Sequence, residues 1–430
     1  MRIRKITDVK NLKGKRVLVR VDFNVPVKDG QVKDFYKIEK SLPTIKYLLG
    51  KGAQVILMSH LGRPNGYDKK LSLAPVAKAL EKILCASVIL RPWVMVEGSF
   101  TNRRIDSSFH SAYRQAGQND NKKIILLENV RFIPGEEKNN SKVAKMFAGL
   151  ADIFVLDGFA VAHRDSASVT GVAKYLPAYA GMLLTEELSG LTKVVGKPKK
   201  PLVVVLGGVK CETKIPILNN FLKKADYILV GGGIASTYFW AQGQKVGASR
   251  VDKDFKKEIL KICAHKKIIL PIDAIVGKHD GSDARIVRYC EGDECKKTGL
   301  AKKLLGALNV FRFSRNLKLA DDEAIYDIGP GTVRLFSKYI KKANTLVMNG
   351  ALGYFEQAPY QHGTYAIARL FAGRSKGRAF GVAGGGETVQ ILQKLGIIDD
   401  IDLVSTGGGA MLEYLGGKKL PGVKAVTRKL

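Results

Sequence analysis

The chain runs to 430 residues, beyond the roughly 250–300 at which a single hydrophobic core stops growing, so more than one domain is expected. An apolar fraction of 46% suits a soluble globular protein, and no stretch is long and apolar enough to span a bilayer. The formal charge of +32 fits nucleic acid, an anionic substrate or a plain basic surface; because the lysines are scattered and not gathered beside aromatics, a solvated surface with non-specific nucleic-acid affinity is preferred to specific recognition.

The opening MRIRKITDVK has no apolar signal region, which implies a cytoplasmic protein. Four apolar runs in the first half then read as strands with polar ends. Arg16–Val21 ends in Asp22 and Asn24, and Gln54–Met58 ends in Ser59, His60 and Arg63. Ile124–Leu127 ends in Glu128, Asn129 and Arg131, and Ile153–Leu156 in Asp157, followed by His163 and Arg164. The intervening stretches Ala74–Leu84 and Lys142–Leu150 read as helices, which makes βαβ units. Parallel strands all end on one edge, so three arginines, two histidines and several oxygen ligands should meet there. Polar loops are what any parallel sheet shows, but arginine at three separate strand ends favours a seat for a small polyanion, because the guanidinium fork matches carboxylate and phosphate.

Two segments, Arg91–Asn121 and Gly277–Ala320, read as surface insertions. The second carries Cys290 and Cys295, which lack zinc-site spacing and companions and read as free thiols. Five cysteines without regular spacing exclude a disulfide framework. His163-Arg164-Asp165 imitates a protein-kinase triplet, but Thr170 stands where that motif needs asparagine and no DFG follows. Gly181–Gly196 is one helical run closed by Lys197-Pro198. It divides an arginine-rich domain, 1–180, from a glycine-rich one, 198–410, and makes 181–197 a connecting helix and hinge, with a tail over 411–430.

The second half opens on PLVVVLGGVKCETK. Leu202–Leu206 reads as a strand buried on both faces, Gly207 and Gly208 as a turn, and the following amphipathic run as a helix carrying Lys210 and Lys214 one turn apart. Glycines admit an anion close to the backbone, a helix N-terminus offers free N–H groups and the lysines add charge. The same residues also fit a plain strand-to-helix connection with surface lysines. Cys211, beside Lys210 at the helix start, is expected to be a stabilised thiolate with mild redox sensitivity. The glycine pattern recurs: Tyr227–Val230 runs into Gly231–Gly233, Ala379–Ala383 into Gly384–Gly386 with Glu387 and Thr388, and Asp402–Ser405 into Thr406–Gly409. Four such turns along one edge suit a large, flat anionic ligand such as a nucleotide. Neither a P-loop nor a GxGxxG after a strand occurs, which argues against a nicotinamide dehydrogenase. A small-anion pocket facing a nucleotide crevice across a hinge implies phosphoryl transfer, which needs positioning and charge neutralisation more than a base.

The stretches RVLVRVDFNVP, SLPTIKYLL, SHLGRP, LSLAPVAKAL, LLENVRF with EEKN, AHR with AS, LGGVK with TKI, GGGIA, DIGPGT, NG with GYFE, GGGET and STGGGA occur in this order. With them the chain closely resembles the phosphoglycerate kinase family over nearly its full length. The resemblance implies an α/β fold of two doubly wound, Rossmann-like parallel-sheet domains, with the tail crossing back to the N-terminal one. It implies a cytoplasmic, monomeric enzyme that moves a phosphoryl group between 1,3-bisphosphoglycerate and ADP, giving 3-phosphoglycerate and ATP with Mg²⁺. By position, Asp22, Asn24, Lys37, His60, Arg63, Arg131 and Arg164 would hold the glycerate ligand. Lys37, Lys210 and the backbones of Gly386 and Gly409 would act on the transferring group. Gly208, Lys214, Gly232, Gly233, Tyr326, Asn349, Glu356, Gly384, Gly385 and Thr388 would line the nucleotide, with Glu387 toward Mg²⁺.

Several positions depart from the family pattern. Lys37 replaces an arginine, Glu387 an aspartate, and Gly331 a lysine. WNGP is Met348-Asn349-Gly350-Ala351, the asparagine before the DAF stretch is Leu156, and Asp165 and Ser166 remove one histidine of the basic patch. A second reading is therefore a weakened member that binds nucleotide or phospho-ligand, with non-specific nucleic-acid affinity. The five retained cations Arg63, Arg131, Arg164, Lys210 and Lys214, which repel one another, favour an active enzyme.

Overall fold

The computed structural model describes residues 3–93, 95–96, 99–100, 124–289 and 319–427. Most of the two expected insertions, including Cys290 and Cys295, lies outside the described residues. The chain divides into two compact units, Met1–Ser189 with Lys419–Leu430, and Gly190–Lys418.

The first unit is built on β1 (Arg16–Arg20), α1 (Tyr36–Gly50), β2 (Gln54–Met58), α2 (Ala74–Leu84), β3 (Val88–Arg91), β4 (Ile124–Leu127), α3 (Ser141–Gly149), β5 (Ile153–Leu156) and β6 (Ala178–Ala180). The strands pair in the order β6-β5-β1-β2-β4-β3, and every pairing is parallel. Val17, Leu18 and Val19 have no exposed surface, because a sheet covered by helices on both faces needs apolar side chains on both. Helix α1 supplies one cover through Ile38, Ile45 and Leu48, spaced to fall on one side of a 3.6-residue helix. From β1 the chain goes to β2 on one side and reaches β5 on the other. That reversal opens a crevice at the carboxyl edge between β1 and β5, where an open α/β sheet holds its ligand. The C-terminal helix Pro421–Ala425 returns to this unit: Gly422 N–H donates to Ala162 O at 2.8 Å, and Arg4 N–H to Val426 O at 2.9 Å.

Between the sheets' sequences runs α4 (Met182–Val195). The second unit comprises β7 (Leu202–Leu206), α5 (Cys211–Lys224), β8 (Tyr227–Val230), α6 (Gly232–Ala241), α7 (Lys256–Cys263), β9 (Ile268–Ile269), β10 (Asp273–Gly277), β11 (Arg285–Arg288), β12 (Ala324–Ile328), α8 (Pro330–Ile340), β13 (Thr345–Asn349), α9 (His362–Ser375), β14 (Phe380–Gly384), α10 (Gly386–Lys394), β15 (Leu403–Ser405) and α11 (Gly408–Leu415). Its main sheet is again wholly parallel, in the order β9-β8-β7-β13-β14-β15. All five residues of β7 are fully buried, each worth about 2 kcal/mol relative to exposure. The order reverses between β7 and β13. A second, antiparallel sheet, β11-β10-β12, carries Tyr326 on β12. Both units are therefore doubly wound α/β folds.

Two anion seats as the candidate active site

In the first unit the parallel register delivers the polar strand ends to one place. Asp22 follows β1, His60 follows β2, Arg131 follows β4 and Arg164 follows β5. Asp22 is buried, and Lys37, from the first turn of α1, places its ammonium 2.7 Å from Asp22 Oδ2. Lys37 also donates to Asn24 O at 3.4 Å. Burial pushes the Asp22 carboxyl up, but Lys37 and Arg20 outweigh it and hold it below the usual carboxylate range.

His60 is buried and neutral. Desolvation and the cations Arg20, Arg131 and Lys37 push its pKa down to about 3, against the pull of Asp22. Its Nδ1 lies 3.3 Å from Arg20 Nη2 and 3.7 Å from Asp22 Oδ1. Only the first is a hydrogen bond, since a neutral ring pairs weakly with a carboxylate beyond 3.5 Å.

Gly62 joins two more of the predicted residues. It sits at φ +62°, and a Cβ there would meet Leu71 Cδ2 at 2.7 Å, so the loop requires glycine. Its N–H donates to Asn24 Oδ1 at 2.9 Å, and its carbonyl accepts from Arg131 Nη1. The next residue, Arg63, is exposed. Arg131 Nη2 lies 3.1 Å from Glu137 Oε1 and Arg164 Nη1 lies 3.9 Å from the same oxygen. The Glu137 side chain is 58% exposed, so it is an easily displaced counterion for two guanidinium groups. His163 is half-buried in the turn before Arg164.

Three residues of this seat were not singled out from the sequence. Arg20, near the end of β1, donates from Nε to Ser168 Oγ at 3.0 Å, and Ser168 Oγ–H donates to Glu136. All three are buried. A lone arginine inside the apolar run VLVRV was the available signal.

In the second unit the glycine turns follow β7, β8, β14 and β15, whose ends share one edge. At the switch point Gly207 N–H donates to Asn349 O at 3.0 Å and Gly208 N–H to Ala351 O at 2.7 Å. Gly233 N–H donates to Gly208 O at 2.9 Å, so two glycine turns and the Gly350 loop interlock. A Cβ on Gly233 would lie 2.4 Å from Val209 O, which leaves no room for a side chain. Beside them opens a cavity of about 520 Å³, lined by Gly208, Gly232, Gly233, Tyr326, Glu356 and Glu387. Its aromatic side holds Tyr354 and His279, with ring centres 5.3 Å apart.

Lys214 is buried and donates to Asn349 Oδ1, while Asn349 Nδ2 donates to Gly384 O at 2.6 Å. Desolvation pulls the Lys214 ammonium down to about 8, with Glu387 opposing. Thr388 is buried and accepts from Gly350 N–H at 2.8 Å, and Glu387 Oε2 accepts from Ala351 N–H at 3.2 Å. Gly386 and Gly409 are exposed in the first turns of α10 and α11, where N–H groups lack intrahelical partners. Gly385, at φ +100°, caps α10. Lys210, the N-cap residue of α5, is exposed and has no ion-pair partner among the described residues.

Cys211 corrects an expectation. It begins α5, but its side chain is fully buried and its thiol donates to Thr237 Oγ1 at 3.5 Å. Burial raises its pKa, so it is a protonated core thiol and not a stabilised thiolate. The helix N-terminus did not decide the matter because the side chain turns inward, away from solvent.

Four of the departures from the family pattern are accommodated locally. Gly331 N–H donates to Asp273 Oδ2 at 2.7 Å, and a Cβ there would approach that oxygen to 2.8 Å. Leu156 is fully buried, with Gly422 of the tail against it. Asp165 accepts from Asn139 Nδ2 at 2.8 Å, and the Ser166 carbonyl accepts from Thr170 N–H at 2.9 Å.

The family model described as phosphoglycerate kinase matches residues 6–418. A phosphoglycerate kinase of Francisella tularensis is 41% identical over 428 residues, covering 97% of each chain, and one of Pelotomaculum thermopropionicum is 40% identical over 427 residues. The solved phosphoglycerate kinase structure from Coxiella burnetii superposes with a TM-score of 0.78 at 36% identity, covering 99% of both chains. That from Pyrococcus horikoshii gives the same TM-score at 28% identity. With matches of this extent in sequence and fold, the chain belongs to the phosphoglycerate kinase family.

Proposed function

We propose that the two seats carry the reaction of the family: reversible phosphoryl transfer between the acyl phosphate of 1,3-bisphosphoglycerate and ADP, giving 3-phosphoglycerate and ATP. The chain is a phosphotransferase with a carboxyl group as acceptor, working in glycolysis. An acceptor that is already an anion needs no general base, which agrees with a site rich in cations. The observation that carries the reading is that each seat lies at the switch point of its sheet and is assembled from cations or glycine turns.

In this reading Asp22, Asn24, Lys37, His60, Arg63, Arg131 and Arg164 hold the glycerate ligand, and the phosphate or carboxylate displaces Glu137 from the arginines. The nucleotide base and ribose occupy the cavity beside Tyr326 and Glu356. Its phosphates run over Gly208, Gly232 and Gly233 toward Lys214, Asn349 and the N–H groups of Gly384, Gly385, Gly386 and Gly409, with Thr388 buttressing Gly350. Lys210, exposed and without an ion-pair partner among the described residues, neutralises the transferring group. The stretch 181–197 is proposed as the hinge.

No group of three or more His, Cys, Asp or Glu able to hold a metal by themselves occurs among the described residues. Asp322, Glu356 and Glu387 line the cavity, but only Glu387 stands beside Gly208 and Lys214, which fits Mg²⁺ carried in by the nucleotide phosphates better than a site formed by protein alone. Bound there, Mg²⁺ would neutralise phosphate charge. No helix among the described residues is long and apolar enough to cross a membrane; a cytoplasmic monomer without specific nucleic-acid partners is part of the proposal. The test is a coupled assay of ATP with 3-phosphoglycerate and Mg²⁺, reading ADP. Steady turnover is expected; thermal stabilisation by both ligands without turnover would replace the reading with that of a binding protein.

A further inference from the structure

We propose that Arg20 is a positioning residue that fixes His60 in its Nε2–H form, so that the ring offers the glycerate ligand a permanent N–H donor. The inference rests on the glycerate seat proposed above.

A guanidinium has five N–H donors and no acceptor, and it keeps its proton in proteins. Arg20 Nη2 lies 3.3 Å from His60 Nδ1, so that nitrogen must present its lone pair. The neutral imidazole has one N–H, which then sits on Nε2. Protonating the ring would aim a second N–H at a cation.

Arg20 can impose this because it cannot turn away. Nη1 donates to Val21 O at 2.8 Å and to Met58 O at 3.3 Å, and Nε donates to Ser168 Oγ. Ser168 in turn donates to Glu136, whose carboxylate also accepts Ser168 N–H at 3.3 Å. Glu136, Ser168, Arg20 and His60 thus form one buried chain of directed hydrogen bonds, with burial strengthening each. The other charged groups that act on His60 are Asp22, Arg131 and Lys37. Asp22, at 3.7 Å, would favour a protonated ring, but it is already held by Lys37. The combined field keeps the ring neutral, with its pKa pushed down to about 3. A neutral donor suits reversible transfer, since it binds without adding a charge that changes with pH.

Histidine ¹⁵N NMR of the full chain, titrated from pH 5 to 8, tests this directly, with the His60 signal assigned by its loss in H60N. The expected result is one ring with unprotonated Nδ1, Nε2–H and no titration, and a shift of that signal on adding 3-phosphoglycerate. In R20Q, where the amide can accept as well as donate, His60 should exchange between tautomers and titrate higher than in the wild type, with burial still holding it below its ordinary value. KM for 3-phosphoglycerate should then rise about fivefold at pH 8, the loss of one hydrogen bond. The ratio to the wild-type KM should shrink as pH falls and the ring gains charge; taking the ratio cancels the ionisation of the substrate phosphate. R20K, which keeps an obligate donor, should restore the tautomer. A merely structural role for Arg20 would leave the KM ratio independent of pH. Titration of wild-type His60 in this range, or a proton on Nδ1, overturns the proposal whatever R20Q and R20K do. A locked ring that does not respond to 3-phosphoglycerate overturns the ligand role and with it the glycerate seat, while leaving the Arg20 contact standing.

Discussion

The backbone N–H of Ala351 lies 3.2 Å from Oε2 of Glu387, and both residues depart from the family pattern as read from the sequence. A proline at 351 has no N–H to give, and an aspartate at 387 has a shorter reach. The longer carboxylate stem and the added donor therefore go together. Ala351→Pro should lose this one hydrogen bond, about 1 kcal/mol, and raise the nucleotide KM about fivefold. Ala351→Gly retains the N–H and should leave KM unchanged. Steady-state kinetics with varied nucleotide at saturating 3-phosphoglycerate separates the two.

Lys37 keeps a charge where the family pattern has arginine, but it spends its short contact on Asp22. A planar fork could hold Asp22 and still present N–H groups to a ligand; an ammonium presents fewer in fixed directions. Lys37→Arg should raise kcat. Lys37→Met should lower it and, by leaving the buried Asp22 carboxylate without its main partner, cost at most ~3 kcal/mol in denaturant unfolding. Unchanged kcat in Lys37→Arg would show that Lys37 takes no part in transfer.

Lys214 supplies the pH dependence. Its folded pKa of about 8 lies below the ordinary 10.5, so between the two the folded protein binds fewer protons than the unfolded chain. Stability from this group therefore rises with pH through that window, while the site loses its ammonium. The kcat/KM for the nucleotide should fall above about pH 8, since it reports groups of the free enzyme. Lys214→Arg should remove that limb of the profile, whatever its effect on the maximum.

Cys85 is exposed and Cys211 fully buried with a raised thiol pKa. Iodoacetamide on the native protein should label the peptide containing Cys85 and spare that containing Cys211 until denaturant is added. Peptide mass spectrometry reads both. Rapid native labelling of Cys211 would restore the reactive thiolate expected from its position.

What could be read from the sequence was local. A strand buried on both faces announces itself as an apolar run, and Gln54–Met58, Ile124–Leu127, Ile153–Leu156 and Leu202–Leu206 have those bounds in the structure. Parallel pairing then follows from the alternation with helices, and it brings the strand-end residues together without any knowledge of their contacts. The partners of those residues were another matter. Ser168 lies 148 positions from Arg20, and their bond depends on how the loop after β5 folds over β1. Cys211 read as a stabilised thiolate because a helix start favours an anion, yet its thiol is buried and donates to Thr237 on the next helix. That Lys37 is paired with Asp22 could not be seen either, since both were read separately as ligand groups.

Gly62 is gripped from both sides, by Asn24 at its N–H and by Arg131 at its carbonyl. Two positions more than a hundred residues apart in sequence thereby answer to a single backbone unit that also aims Arg63. Damage to either should loosen the same loop, so the second injury will add less than the first. In a population of variants this predicts epistasis between Asn24 and Arg131, with selection treating the loop and its two clamps as one heritable trait.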